Sequence, residues 1–162
     1  SSPADKTREY RLTRCGRELG PVIQYMATWG LRWARRRICD EDIDIGGFMW
    51  DFHRTLQIDE LPDGETVMFV KLLDVQSFES WWLVASDGTV DLCTDDPGKD
   101  VDLYVTSSSS TLVEIWMGDV SVKAALDSSD LMLTGSSHLI RSAASWFPRS
   151  SMSDIRPERL MD

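Results

Sequence analysis

The segment Val101–Phe147, VDLYVTSSSSTLVEIWMGDVSVKAALDSSDLMLTGSSHLIRSAASWF, constrains the fold more than any other part of the chain. Val101–Thr106 alternates as a strand, and the run Ser107–Ser110 supplies N-caps for a helix carrying Leu112, Val113, Trp116 and Met117. Gly118 occupies the C′ position that ends such a helix. Ser121 caps a second, short helix containing Val122, Ala125 and Leu126. Leu131–Thr134 is a short strand, and Gly135 breaks it. Ser136 or Ser137 then caps a third helix bearing Leu139, Ile140, Ala143 and Phe147, which Pro148 stops. Large apolar side chains face inward and polar ones sit at caps and turns. An ordinary core is written this way, and so is a domain that encloses an apolar ligand.

The strands that complete a sheet lie upstream. Glu65–Leu73 sets Val67, Phe69 and Lys71 against Met68, Val70 and Leu72, and Phe78–Ser86 is a second strand with bulky residues on both sides. Asp87-Gly88 is a two-residue hairpin signal, because both central positions of a type I′ turn need positive φ, and Thr89–Cys93 is the return strand. Apolar groups on both faces imply a sheet covered on at least one side and touching apolar material on the other. A helix over about Ile45–Leu56, with Ile45, Phe48, Met49, Phe52 and Leu56 on one face, precedes the sheet, and Leu61-Pro62-Asp63-Gly64 is a turn. The acidic run Cys39–Asp44 reads as the N-terminal cap of that helix and not as a metal site.

The head differs from this body. Thr7–Leu12 alternates as a strand with no partner before it, and Thr13 is an N-cap. From Arg14 to about Arg37, Leu19, Val22, Ile23, Met26, Trp29 and Trp33 recur on one stripe of a long helix, with Pro21 either kinking it or marking its start. A stripe with two tryptophans needs a large apolar partner, and a second copy of the chain meets that need. Residues 1–37 carry nine Lys or Arg against three Asp or Glu, whereas residues 38–162 carry eight against twenty-four, within a total of −10. Only the head is therefore suited to a polyanion.

No catalytic constellation is present: there is no G-x-S-x-G, P-loop, H-E-x-x-H or G-x-G-x-x-G, and the two histidines are far apart. The expectation is a non-enzyme without cofactor or metal. Cys15, Cys39 and Cys93 form no C-x-x-C and read as reduced thiols of a cytoplasmic protein. The N-terminus has no signal-peptide core, and no apolar run approaches the ~20 residues of a membrane span. Seven Trp, five Phe, three Tyr and seven Met remain as a surplus. They belong either to a tryptophan-rich core or dimer interface, or to the lining of an apolar cavity. Trp50, Met68, Trp82, Trp116 and Trp146 are the candidates for such a lining.

Two resemblances rest on these residues. Val101–Thr106, the L-x-x-x-W-M-G-D of Leu112–Asp119, L-M-L-T-G of Leu131–Gly135 and S-W-F of Ser145–Phe147 resemble the sterol carrier protein type-2-like fold, over about Ile45–Phe147. That resemblance implies an α+β domain with one curved, mostly antiparallel sheet, helices over one face and an apolar tunnel for lipid. E-Y-R-L-T-x-x-G-R-E-L-x-P-V (Glu9–Val22) with Trp29-Gly30 resembles the end of a HxlR-type winged-helix transcriptional regulator. There the strand implies the second strand of the wing and the long helix a homodimer; the helices that read DNA and the wing's first strand have no counterpart here.

Together these give three segments: a wing-strand remnant and dimerisation helix (1–37), a sterol-carrier-type domain (38–148) and a loose polar tail (149–162). The expected function is the ligand-sensing, dimerising portion of a bacterial regulator that binds an apolar small molecule or lipid. Leu19, Val22, Ile23, Met26, Trp29 and Trp33 would form the dimer interface. Lys6, Arg8, Arg11 and Arg14 would touch DNA phosphates, weakly and salt-sensitively, unless an N-terminal helix-turn-helix supplies base readout. A free-standing lipid carrier and a purely structural dimerisation module are the alternatives.

Overall fold

The hydroxyl of Thr13 accepts the N–H of Gly16 at 3.1 Å, and helix α1 runs from there over Arg14–Trp33. The computed structural model describes residues 10–34 and 43–158. They fall into two compact units, one drawn from residues 1–36 and 155–162, the other from 37–154. In the first unit Pro21 sits inside α1 without ending it; its cost is one missing donor for the carbonyl of Arg17. None of the residues of α1 is buried. The Glu158 N–H donates to the Arg32 carbonyl at 2.9 Å, satisfying one of the acceptors that a helix C-terminus leaves open. Tyr10–Leu12 has no regular structure, while Thr7–Glu9, Arg35–Arg37 and Cys39–Asp42 lie outside the described residues.

The second unit begins with Asp44, whose carboxylate accepts the Gly47 N–H at 3.2 Å and caps α2 (Ile45–Arg54). A Cβ on Gly47 would stand 2.6 Å from that carboxylate, so glycine is what lets the cap close. Helix α2 buries Phe48, Met49 and Phe52, as its apolar stripe predicts, and also His53, which lies beside that stripe. A 3-10 turn, Ile58–Glu60, leads into strand β1 (Thr66–Leu72), followed by β2 (Ser80–Ser86) and β3 (Thr89–Cys93). Asp87 and Gly88 have φ of 50° and 76°, the paired positive values that the hairpin reading requires. Strand β2 starts two residues later than the sequence predicts, because Phe78 adopts φ 57° and its carbonyl accepts the Trp81 indole N–H at 2.6 Å.

Strand β4 (Leu103–Ser107) pairs parallel to β1, and β5 (Leu131–Gly135) pairs antiparallel to β4. The sheet order is β3-β2-β1-β4-β5, antiparallel everywhere except at β1–β4. This is the α+β architecture that the sterol-carrier resemblance implies. Between β4 and β5 lie α3 (Ser109–Trp116) and α4 (Val122–Asp127), capped by Ser108 and Ser121 and separated by Gly118 at φ 73°. After β5 the sequence predicts one helix to Phe147, and the structure forms two: α5 (Ser137–Arg141) and α6 (Ala143–Trp146). Ser142 divides them, its hydroxyl bonding back to the His138 carbonyl at 3.0 Å in competition with the helical ladder. The core fills the space between these helices and one face of the sheet, drawing on Phe52, Met68, Leu83, Leu112, Leu139 and Trp146 among others.

Residues 149–154 are not the loose tail that their polarity predicts. Ser150 and Ser153 are buried, and the Ser150 N–H donates to the Trp116 carbonyl at 2.8 Å, which fastens this turn over the end of α3. At the start of α3, Asp74 from the β1–β2 loop accepts the Ser109 N–H at 2.7 Å and the Ser109 hydroxyl at 2.8 Å. Burial raises the Asp74 carboxyl, but the backbone and hydroxyl of Ser109, with the N–H groups of Asp74 and Ser110, together hold it below its ordinary value.

Two predictions follow from these contacts. Gly135 has φ 133°, and a Cβ there would meet the Asp102 carbonyl oxygen at 2.3 Å. Gly135→Ala should therefore destabilise by about 3 kcal/mol or more, against about 1 kcal/mol for Gly88→Ala, which points into open space, both read by urea denaturation. Because the folded-state value of Asp74 is depressed, its stabilisation is complete above the unfolded value of about 3.9 and is lost as pH falls from there through the lower folded-state value. Asp74→Asn should cost about 1 kcal/mol at neutral pH, and the gap between variant and parent should narrow below about pH 4.

Candidate functional site

The five aromatic and methionine candidates are divided by the pleat of the sheet. Met68 points from β1 into the core and is 2% exposed; Trp146, on α6, is 1% exposed with its indole N–H donating to the Leu139 carbonyl at 2.9 Å. Trp116, on α3, is half-buried at the core's edge. It lies edge-on to Phe48 at 5.8 Å and donates to the Thr55 hydroxyl at 2.8 Å. Trp50 is 56% exposed on α2, with its ring against His53. Trp82 is on the opposite face of the sheet from Met68. The structure thus brings Met68, Trp116 and Trp146 to one side of the sheet and leaves Trp50 and Trp82 apart from them.

That opposite face carries a row fixed by strand register: Cys93, Trp82, Phe69, Tyr104 and Thr134 lie side by side across all five strands. Phe69 contacts both Trp82 (4.9 Å) and Tyr104 (5.8 Å). Alternation along the strands put apolar groups on both faces in the sequence. Val67 and Val84 are buried beside this row, whereas Tyr104 and Met132 stay half exposed.

Two hollows lined by described residues of the second unit are large enough for a small molecule. One, of about 520 Å³, is walled by Ile45, Val75, Asp74 and Ser108–Ser110. Its polar groups are engaged with one another, since Asp74 already occupies the amide end of α3 where an anion would bind. The other, of about 290 Å³, has Ile115, Val122, Phe147 and Pro148 as apolar walls and Lys123 and Arg149 at its edge. Neither cation stood out in the sequence, because the last turn of the chain is what brings position 149 beside α4. Among the described residues no group of three or more His, Cys, Asp or Glu could hold a metal ion. No helix among them is long and apolar enough to cross a membrane. His53 is buried, with Nδ1 3.3 Å from the Met49 carbonyl, and His138 is exposed.

In the first unit the dimer candidates form an uncovered stripe: Leu19, Val22, Ile23, Met26, Trp29 and Trp33 are 39–68% exposed. Arg11 and Arg14 sit at the N-terminal end of α1, and Lys6 and Arg8 lie outside the described residues. Arg14 pairs with Glu18 one turn along at 3.0 Å, and Arg17 donates to the Leu12 carbonyl at 2.7 Å. Arginines in a first turn oppose the helix dipole, and an exposed pair offsets little of that.

Residues 2–38 match a family model described as HxlR-like helix-turn-helix. No curated protein matches the chain. Among solved structures, the stereoselective inverting sec-alkylsulfatase Pisa1 from Pseudomonas sp. superposes with a TM-score of 0.51 at 13% identity, over 69% of this chain and 17% of that one. A ubiquinone synthesis protein, UbiJ-SCP2, gives 0.47 at 21% identity over 62% and 90% of the two chains. Sterol carrier protein 2 like 2 from Aedes aegypti gives 0.44 at 14% identity over 62% and 93%. The chain spans less than a fifth of the alkylsulfatase's length, so that likeness is one of fold within a larger molecule. The chain is therefore similar at its head to HxlR-like helix-turn-helix proteins, and its body shares an α+β fold with a segment of the alkylsulfatase.

Proposed function

We propose that this chain is the dimerising and ligand-sensing portion of a bacterial HxlR-type transcriptional regulator, with residues 1–37 as its dimer-forming head and residues 38–148 as its sensor. The observation that carries this reading is the uncovered stripe on α1, in the region that matches the HxlR-like model. A second copy lying along it would take six large apolar side chains per chain out of water, each contributing about 1 kcal/mol or more even if only half its area is covered. The basic character of the head supports contact with DNA phosphates through Lys6, Arg8, Arg11 and Arg14, within a cytoplasmic homodimer. An apolar small molecule or lipid would bind in the sterol-carrier-type domain, on the helix side of the sheet where Met68, Trp116 and Trp146 lie. The strong negative charge of the body keeps DNA away from the sensor and confines it to the head.

Sedimentation velocity at micromolar concentration should give a dimer, and Ile23→Glu should give a monomer with unchanged circular dichroism. A monomeric parent chain would overturn the regulator reading in favour of a free-standing carrier. Titration with apolar ligands should change the tryptophan fluorescence saturably; no change with any of them would leave a dimerisation module without a ligand.

A further inference from the structure

Helix α1 ends without the residue that usually closes a helix. A left-handed Gly or Asn at C′ would satisfy its last carbonyls, but the sequence after Trp33 reads Ala34-Arg35-Arg36-Arg37. Ala34 donates its N–H to the Gly30 carbonyl at 2.8 Å, which accounts for one open acceptor. A second is met from far along the chain, by the Glu158 N–H on the Arg32 carbonyl at 2.9 Å. Arg32 lies between Trp29 and Trp33, so this bond holds the turn that presents both tryptophans of the uncovered stripe.

The stretch leading to Glu158 is anchored at its other end as well. The Ser150 N–H donates to the Trp116 carbonyl at the end of α3, at 2.8 Å. The turn that follows is closed by the Ser153 N–H on the Ser150 carbonyl at 3.1 Å and the Met152 N–H on the Ser150 hydroxyl at 3.2 Å. The Arg149 guanidinium adds bonds to Ser153 and Asp154 at 2.8 and 3.1 Å. The boundary between the two units falls just after this turn, between Asp154 and Ile155. Only Ile155, Arg156 and Pro157 then separate the turn from Glu158. Pro157 fixes its own φ and confines Arg156 to extended backbone; Ile155 and Pro157 are half-buried. No glycine occurs between residues 149 and 158. Such a link is short and stiff, where a Gly/Ser link of equal length would be slack. A displacement at the end of α3 therefore either moves Glu158 or breaks its bond to Arg32.

Building on the regulator reading above, we infer that residues 149–158 are a strap that couples the helix layer of the second unit to the last turn of α1. Its state is set at the Trp116 carbonyl, and its effect falls on the turn that offers Trp29 and Trp33 to a second copy.

Amide hydrogen exchange on the full chain tests this, with the end of α1 as one readout and strands β1 and β4 as the other. Glu158→Pro removes the N–H donor, and Glu158→Ala keeps it. The proline variant should exchange the end of α1 at least about fivefold faster than the alanine variant, with β1 and β4 unchanged. Arg149→Gln loosens the turn at the far end of the strap and should speed the end of α1 about twofold or more. Ser153→Ala is the milder change to the same turn and should act in the same direction. In the Glu158→Pro background neither should add anything, because the strap is already detached. Equal exchange in the proline and alanine variants would overturn the coupling. So would turn variants that leave α1 unchanged, or that act in full after the strap is cut. The same ratios should hold in Ile23→Glu, where dimerisation is removed; ratios that vanish there would overturn the strap. A parent chain that sediments as a monomer would overturn the regulator reading and leave these ratios to judge the coupling.

Discussion

The second unit depends on a parallel pairing at its centre. Strands β1 and β4 are separated in sequence by a complete hairpin, so their contact is the long-range closure on which the rest of the sheet is built. Asp102 holds it. Its N–H donates to the Val67 carbonyl at 2.9 Å, its carboxylate accepts the Val67 N–H at 2.8 Å, and its carbonyl accepts the Ser136 N–H at 2.9 Å. One residue thus joins the start of β1, the start of β4 and the end of β5. Gly135 must lack a side chain because the same carbonyl lies against it. With β4 fixed, Ser108 starts α3 immediately after the strand, and Asp74 fastens that start to the loop leaving β1. The helix layer takes its position from the sheet's central pair.

Much of this was legible in the sequence, and the failures share a cause. Caps and turns are local chemistry, so Thr13, Ser121, Asp87-Gly88 and Gly118 read correctly one residue at a time. Ser142 did not, because a lone serine in an apolar-periodic run bends a helix only when its hydroxyl turns back to a carbonyl, and nothing in the sequence says that it will. The 149–154 turn misled for the opposite reason: its serines are polar, yet two are buried because the carbonyl at the end of α3 needs a donor. The parallel pair rests on partners such as Met68 and Leu103, far apart in the chain, and leaves no periodic trace.

The tryptophans show how far composition can carry a functional argument. Seven of them looked like a surplus for one core. Trp81 and Trp146 are buried, each with its indole N–H on a carbonyl, as an aromatic with a polar edge requires. Trp82 and Trp116 are half-buried on opposite sides of the sheet, and Trp29, Trp33 and Trp50 face outward. The surplus therefore lies largely at surfaces. Residue size and hydrophobicity predicted that these side chains need apolar partners, but strand parity and helix phase decided which partner each could reach.

That distribution shifts weight from aromatic lining to charge as the guide to specificity. Apolar contacts are non-directional and contribute in proportion to area, so an apolar wall by itself admits many molecules of the right size. A cation at the edge of such a wall discriminates, because a neutral analogue leaves it without a partner in the least polar part of its surroundings. In a unit with nineteen acidic side chains between residues 43 and 154, the general field repels anions, and only a local pair of cations can reverse that.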